Sequence, residues 1–224
     1  MDEFYQKPPV LGNQYREDPF LTQYLKRALP PDILESVEPL FERMGGRAAG
    51  DLLRLSRQAE AEPPRHIPFD AWGRRIDRIE TSPAWEQLKR ISAQEGLVST
   101  GYERNQGAFS RLCQFTLLYL FHPSSAVFTC PLAMTDGAAR AIELYGDEDL
   151  KKRALPRLCA RDPDLFWTSG QWMTERTGGS DVGGTSTVAK PQPDGSFRLF
   201  GTKWFTSAIT RLNNVVVCRV SRLA

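Results

Sequence analysis

The chain has 224 residues, 41% hydrophobic and 25% charged, a composition that excludes a disordered chain and allows a sizeable core in one or two domains. Its 29 basic residues are interleaved with 27 acidic ones for a net charge of +2, so no stripe for nucleic acid stands out. The longest apolar run, residues 115–121, falls far short of the roughly 20 residues that span a bilayer.

The N-terminal stretch MDEFYQKPPVLGNQYRED mixes acids and prolines where a signal peptide needs a basic start and an apolar core, which predicts a cytoplasmic protein. Asp18 and Pro19 read as a helix start, with Phe20, Leu21, Tyr24, Leu25 and Ala28 on one face. Pro30, Pro31 and Asp32 open a second helix in which Ile33, Val37, Leu40, Phe41 and Met44 recur at three and four residues. Gly45 and Gly46 are expected to interrupt it, with Leu52, Leu53 and Leu55 resuming the pattern. Residues 63–73, PPRHIPFDAWG, read as a connecting loop, after which Ser82 and Pro83 start a helix that turns Trp85, Leu88 and Ile91 inward.

The helix over residues 109–121 carries Phe109, Leu112, Cys113, Phe115, Thr116, Leu118, Tyr119 and Phe121, a pattern expected of a helix packed on most sides. Pro131 opens a further helix that stops at Gly146, and Asp147 caps one more to about residue 160. After RDPD the character changes: Leu165, Phe166 and Trp167, then FRLFGTKWF, then NNVVVCRV read as β-segments, with PDGS as a hairpin turn. Asp194-Gly195 and Asn213-Asn214 punctuate them. The predicted fold class is therefore α+β: an all-α helical bundle domain over residues 1–164, followed by the start of an antiparallel β-domain over residues 165–224.

Cys113, Cys130, Cys159 and Cys218 are widely spaced, with no CxxC pair and no histidine at ligand spacing. That argues against disulfides and a zinc site and predicts reduced, mostly buried thiols. His66 sits in a proline-rich loop and His122 precedes Pro123, so neither is assigned a catalytic role.

The most unusual composition is SGQWMTERTGGSDVGGTST, residues 169–187, with five glycines and several hydroxyls. Composition alone favours a plain glycine-rich turn between strands. The same exposed amides, with Thr174 and Ser180, also suit pyrophosphate oxygens or the polar edge of a planar ring. KWFTS comes next, offering the flat face of Trp204 beside the hydroxyls of Thr206 and Ser207, a combination that suits a flavin. Glu175 and Asp181 are read as carboxylates that cap their own loop.

MTERTGGSDV resembles the acyl-CoA dehydrogenase signature in which T-E is followed by G-S-D, and GTKWFTS resembles its partner K-x-W-x-T-[NS]. FDAWGRRIDRIETSPAWEQL and CPLAMTDGAARAIE are similar to parts of the AidB-like branch, so the resemblance spans residues 12–217. It implies an FAD-dependent enzyme that oxidises an acyl-CoA to the trans-2-enoyl-CoA, usually as a homo-tetramer. Carried over by motif, it implies FAD contacts from Gly170, Met173, Thr174, Gly179, Ser180, Trp204, Phe205, Thr206 and Ser207. Thr174 would lie near the pyrimidine edge, Ser180 at the pyrophosphate, Trp204 over the ring, and Thr206 toward N5.

In the resembled family the catalytic base is a glutamate of a C-terminal helical domain, and this sequence ends at SRLA, so no catalytic residue is assigned. The expectation is a truncated chain with weakened FAD affinity, no nucleic-acid contact and no membrane contact. The competing expectations are a non-enzymatic remnant or interaction protein that associates with full-length subunits, and a glycine loop that binds an unrelated small ligand.

Overall fold

The computed structural model describes residues 4–209, 215–218, 220 and 222–223. They group into two compact units, one of Met1–Pro63, Ser82–Leu88 and Thr100–Val127, the other of Pro64–Thr81, Lys89–Ser99 and Phe128–Ala224.

In the first unit, α1 (Pro19–Ala28) starts where the sequence predicts, with an Asp18 carboxylate oxygen accepting the Leu21 N–H at 2.8 Å. Leu21 and Leu25 are buried, whereas Phe20 and Tyr24 of the same stripe are exposed. Helix α2 (Pro31–Ala49) runs through both glycines and breaks only at Gly50, where α3 (Asp51–Ala61) begins, so the interruption expected at Gly45 is corrected. The reason is close approach: a Cβ on Gly45 would meet Asn13 Oδ1 at 2.3 Å and the Tyr15 backbone nitrogen at 2.5 Å. Gly45 admits the 13–15 segment against the helix, and Gln14 N–H donates to the Gly45 carbonyl at 3.1 Å.

Helix α4 (Pro83–Gln94) has Ser82 Oγ accepting the Trp85 N–H at 3.2 Å. A one-turn helix, α5 (Thr100–Glu103), precedes α6 (Ser110–Phe121). Helix α2 packs on α6, and Val37, Phe41, Met44, Cys113, Leu117, Leu120 and Phe121 are all buried. Each such large side chain contributes about 1.5–3 kcal/mol of hydrophobic stabilisation. Helix α6 is covered on most sides, as the sequence predicts, with Gln114 and Thr116 buried beside these residues and only Phe115 and Tyr119 exposed, at 56% and 55%. The Tyr119 hydroxyl faces outward and donates to Asp18 at 2.8 Å.

The second unit holds a hairpin where the sequence predicts a loop: β1 (Arg65–Phe69) pairs antiparallel with β2 (Arg75–Glu80). Its strands are largely exposed, so no apolar alternation marks them. Across the strands Arg65 pairs with Glu80 at 2.9 Å, and His66 Nε2 lies 3.1 Å from an Asp77 carboxylate oxygen. One Asp70 carboxylate oxygen accepts the N–H groups of Trp72 and Arg74, both at 2.9 Å, and Gly73 takes φ +80° to close the turn.

Helix α7 (Thr129–Tyr145) ends at Gly146, and α8 (Glu148–Leu158) is capped by Asp147, which accepts the Leu150 N–H at 2.7 Å. Leu132, Ala138, Ala139 and Ile142 of α7 are buried, as are Ala154 and Leu158 of α8, which packs on it. Leu165, Phe166 and Trp167 are not a strand. The Trp167 N–H is taken by the Arg157 carbonyl at 3.0 Å, and the strand β3 starts later, at Ser169–Trp172.

Strands β4 (Val188–Pro191) and β5 (Phe197–Phe200) form the antiparallel hairpin expected at PDGS, with Gly195 at φ +81°. Strand β7 (Arg222–Leu223) joins that hairpin parallel to β4, and β3 pairs parallel with β6 (Val215–Cys218) in a separate two-stranded sheet. The predicted segment FRLFGTKWF is strand only to Phe200, and Asn213-Asn214 lie outside the described residues. Cys113 is buried but Cys130 is exposed, so thiol burial is less general than expected. Among the described residues no helix is long and apolar enough to cross a membrane.

The helical glycines of α2 and α7 give opposite expectations. Gly45→Ala forces an overpacked contact and should destabilise by about 1–3 kcal/mol. At Gly137 a Cβ meets nothing within 4 Å, so Gly137→Ala should raise stability by up to about 1 kcal/mol through helix propensity. Thermal unfolding of both variants checks the pair.

Candidate functional site

The glycine-rich loop leaves α7 through β3. Ser169 N–H donates to Thr135 Oγ1 of α7 at 2.9 Å, and both residues are buried, which fixes the start of the strand. A Cβ on Gly170 would lie 2.3 Å from the Ser207 carbonyl oxygen, so glycine there lets the 203–207 segment reach β3. Trp172 Nε1–H donates to that same Ser207 carbonyl at 2.8 Å. Beside this junction, Ala133, Met134, Gly137 and Ala138 of α7 and Gly170 and Gln171 of β3 enclose a cleft of about 250 Å³.

Beyond β3 the chain folds back at residues 175–178, where the N–H of each end bonds the carbonyl of the other at 3.1 and 3.0 Å, with Gly178 at φ +136°. A Cβ on Gly179 would sit 2.5 Å from Thr174 Oγ1. Asp181 turns its carboxylate back to accept the Gly183 N–H at 2.8 Å, the local capping role read from sequence.

Glu175 is the buried centre of the loop. One carboxylate oxygen accepts from the Thr185 and Thr187 hydroxyls at 2.5 and 2.6 Å, the Thr187 N–H at 3.1 Å and the Lys203 ammonium at 2.9 Å. The other accepts from the Ser186 N–H at 2.8 Å and the Ser186 hydroxyl at 2.6 Å. Side-chain exposures are 4% for Glu175 and 8% for Lys203. The Ser186, Thr185 and Thr187 hydroxyls, then the Lys203 ammonium, hold the carboxyl well below the usual carboxylate range against the opposing effect of burial.

Lys203 and Glu175 also pair through their backbones as an antiparallel bridge, and Trp204 N–H donates to the Thr174 carbonyl at 2.9 Å. Trp204 is 52% exposed and Phe205 80%, their rings edge to face with centroids 6.0 Å apart. Phe205 has φ +52°, a left-handed conformation uncommon for a bulky residue and a mark of local strain.

The structure therefore brings together Gly170 with Ser207, Thr174 with Trp204, and Thr174 with Gly179. Met173 offers its carbonyl to Lys203 at 3.5 Å. Ser180 is exposed, and among the described residues no hydrogen bond joins it to the 203–207 segment. Thr206 and Ser207 are half-buried. The second motif also needs a correction of register. Counted from Lys203, K-x-W-x-T places its aromatic position at Phe205 and its hydroxyl at Ser207, one residue beyond Trp204 and Thr206. Lys203 itself was missed by sequence reasoning. Its signal was a lone lysine opening an aromatic run, ambiguous until the partner carboxylate is seen.

The family model for the adaptive response protein AidB N-terminal domain matches residues 6–165. Acyl-CoA dehydrogenase family member 11 of Caenorhabditis elegans is 44% identical over 211 residues, 92% of this chain and 34% of that protein. Among solved structures, the apo form of Bd2924 superposes with a TM-score of 0.91 at 54% identity, covering 97% of this chain and 44% of that one. Caenorhabditis elegans ACDH-11 in complex with C11-CoA superposes with a TM-score of 0.87 at 43% identity, covering 93% of this chain and 36% of that one. The chain thus spans about a third of the length of the curated relatives it matches.

A lowered folded pKa means that Glu175 contributes its full stabilisation above the unfolded carboxyl value of about 4.3 and loses it as pH falls toward the folded value. The melting temperature of the wild type should therefore drop more steeply below about pH 4 than that of Glu175→Gln. Melting curves of both proteins between about pH 3 and 7 measure this difference. Parallel slopes would show that Glu175 is not ionised in the fold.

Proposed function

Since the chain belongs to the acyl-CoA dehydrogenase family, in its AidB-like branch, we propose that it supplies the loop and ring platform of an FAD site to an α,β-dehydrogenase of acyl-CoA thioesters. The observation that carries this reading is the physical joining of the two sequence motifs, Glu175 to Lys203 and Thr174 to Trp204. Two motifs remote in sequence form one surface with exposed amides, hydroxyls and flat aromatic rings.

The residues present fit a flavin dinucleotide. Around Gly178 and Gly184 there is open space where a Cβ would stand, which leaves the backbone approachable. In this reading Gly179 and Ser180 hold pyrophosphate oxygens, and Thr174 meets the pyrimidine edge of the ring. Trp204 and Phe205 cover a ring face, while Thr206 and Ser207 direct hydroxyls to its polar edge. Gly170 and Met173 line the junction behind them. When bound, FAD accepts the hydride that leaves the substrate β-carbon.

Glu175 is unsuited to removing the α-proton. A general base works best with a pKa near the working pH, and this carboxylate is held far below it with six donors on its two oxygens. The residues of this chain bind and orient, and none is assigned the proton transfer.

The cleft beside Gly170, walled by Ala133, Met134, Gly137 and Ala138, suits the apolar chain of the thioester. In this reading residues 1–164 form the N-terminal helical domain of the enzyme and residues 165–224 open its middle domain. A homo-oligomeric, cytoplasmic enzyme follows from the same family reading.

Titration of the purified chain into FAD, followed by flavin fluorescence, tests the assignment. The wild type should bind, and Phe205→Ala and Ser180→Ala should each weaken binding by about tenfold, the loss of one aromatic or hydrogen-bonding contact. Trp204→Ala reports which ring is the nearer cover. Absence of any binding by the wild type would overturn the flavin assignment for this chain.

A further inference from the structure

Two segments far apart in sequence meet at Glu175. Residues 185–187 bring three hydroxyls and two amides to its carboxylate, and residue 203 brings the one ammonium that the carboxylate receives among the described residues. The donors from 185–187 are neutral and lie ten to twelve residues along the same loop. Lys203 is 28 residues away and enters from the segment that carries both aromatic rings.

Among the described residues, backbone pairing joins that segment to the loop at two places. There is the isolated bridge of Glu175 with Lys203, and the single bond from Trp204 N–H to the Thr174 carbonyl. At its far end the Ser207 carbonyl is held by Trp172 Nε1–H at 2.8 Å. Between those two ties lies Phe205 in its left-handed conformation. A strained backbone of this kind persists only where its surroundings over-determine it. The Lys203 ammonium, bonded to Glu175 at 2.9 Å and Thr185 Oγ1 at 2.8 Å, is the charged anchor on the near side. A buried ammonium cannot leave that pocket without losing its counter-charge, so its stem fixes where residue 204 begins.

We infer that Lys203 is a positioning residue for the flavin platform: anchored on Glu175, it sets the place and the angle of the Trp204 and Phe205 rings relative to the 174–187 loop. With its ammonium buried against Glu175 and Thr185, Lys203 acts through the backbone of its own segment. The inference rests on the flavin reading for its ligand, but the mechanical coupling exists in the free protein and is measurable there.

The geometry gives the two partners unequal consequences. Removing the lysine leaves Glu175 with all its neutral donors from 185–187, so the loop keeps its shape and only the 203–207 segment is released. Removing the carboxylate charge weakens both connections. The test uses Lys203→Met and Glu175→Gln in the full chain. Amide hydrogen exchange is followed in the free protein, and the visible circular dichroism of bound FAD reports the ring environment, which a general loss of stability does not reshape.

Lys203→Met should speed exchange at residues 203–207 by about tenfold or more, the scale of a lost charge-assisted hydrogen bond, while residues 185–187 stay within about twofold of wild type. Its bound FAD should show an altered visible dichroism band. Glu175→Gln should speed exchange in both segments. Wild-type exchange at 203–207 together with a wild-type dichroism band in Lys203→Met would overturn the inference. If the wild type binds no FAD, the flavin reading fails, and the exchange pattern alone then decides the coupling: selective release of 203–207 upholds it and no release refutes it. If Lys203→Met does not fold, Lys203→Gln removes the charge while keeping a donor for the Glu175 carboxylate and leaves residues 185–187 untouched, and the same selective release decides the matter.

Discussion

A carboxylate taken out of water is tolerable only where donors replace the hydration it gave up. At Glu175 the replacement comes from two directions, a run of hydroxyl residues at 185–187 and a lysine at 203. This requirement organises the second unit around the glycine-rich loop. The loop cannot slide without stranding a buried charge, β4 starts immediately after the hydroxyl run, and the aromatic segment is tethered at its first residue. A feature that resembles a surface turn in composition is thereby a framed structure with a charged centre.

Glycine serves that frame in two different ways. At Gly170 it removes a side chain so that the Ser207 carbonyl can come close, and at Gly178 it supplies a φ that other residues avoid. Only the second use is readable as a turn. The first is a packing requirement set by a residue more than thirty positions away, as is the use of Gly45 to admit the 13–15 segment against α2. Glycine count therefore says where the backbone is unusual and does not say why.

The helices were legible because their ends carry local chemistry: the Asp18 and Asp147 caps bond their own N-terminal N–H groups, so four residues of sequence contain the whole interaction. The β1–β2 hairpin was not, because its strands are largely exposed and its cross-strand ion pair follows no periodicity. Leu165–Trp167 misled for the opposite reason, an apolar run whose backbone is claimed by Arg157 and not by a strand partner. At the site, the glycine loop and the aromatic run were legible as motifs, whereas the role of Lys203 was not. A lysine's burial depends on its partner, and that partner lies 28 residues away. The displaced register within KWFTS arose from reading the tryptophan as a label when the lysine spacing fixes the positions.

The interleaving of the two compact units bears on how the chain is made. The polypeptide passes between them repeatedly, and the first unit draws its last contribution from Thr100–Val127. During vectorial synthesis that unit therefore lacks α6, the partner of α2, until more than half of the chain has emerged. By then the β1–β2 hairpin and residues 89–99 of the second unit are already outside the ribosome, waiting for α7, α8 and the later strands. Phe69, Trp72 and Ile76 are exposed on that hairpin, so it carries apolar surface open to stray contacts for as long as its own unit is unfinished.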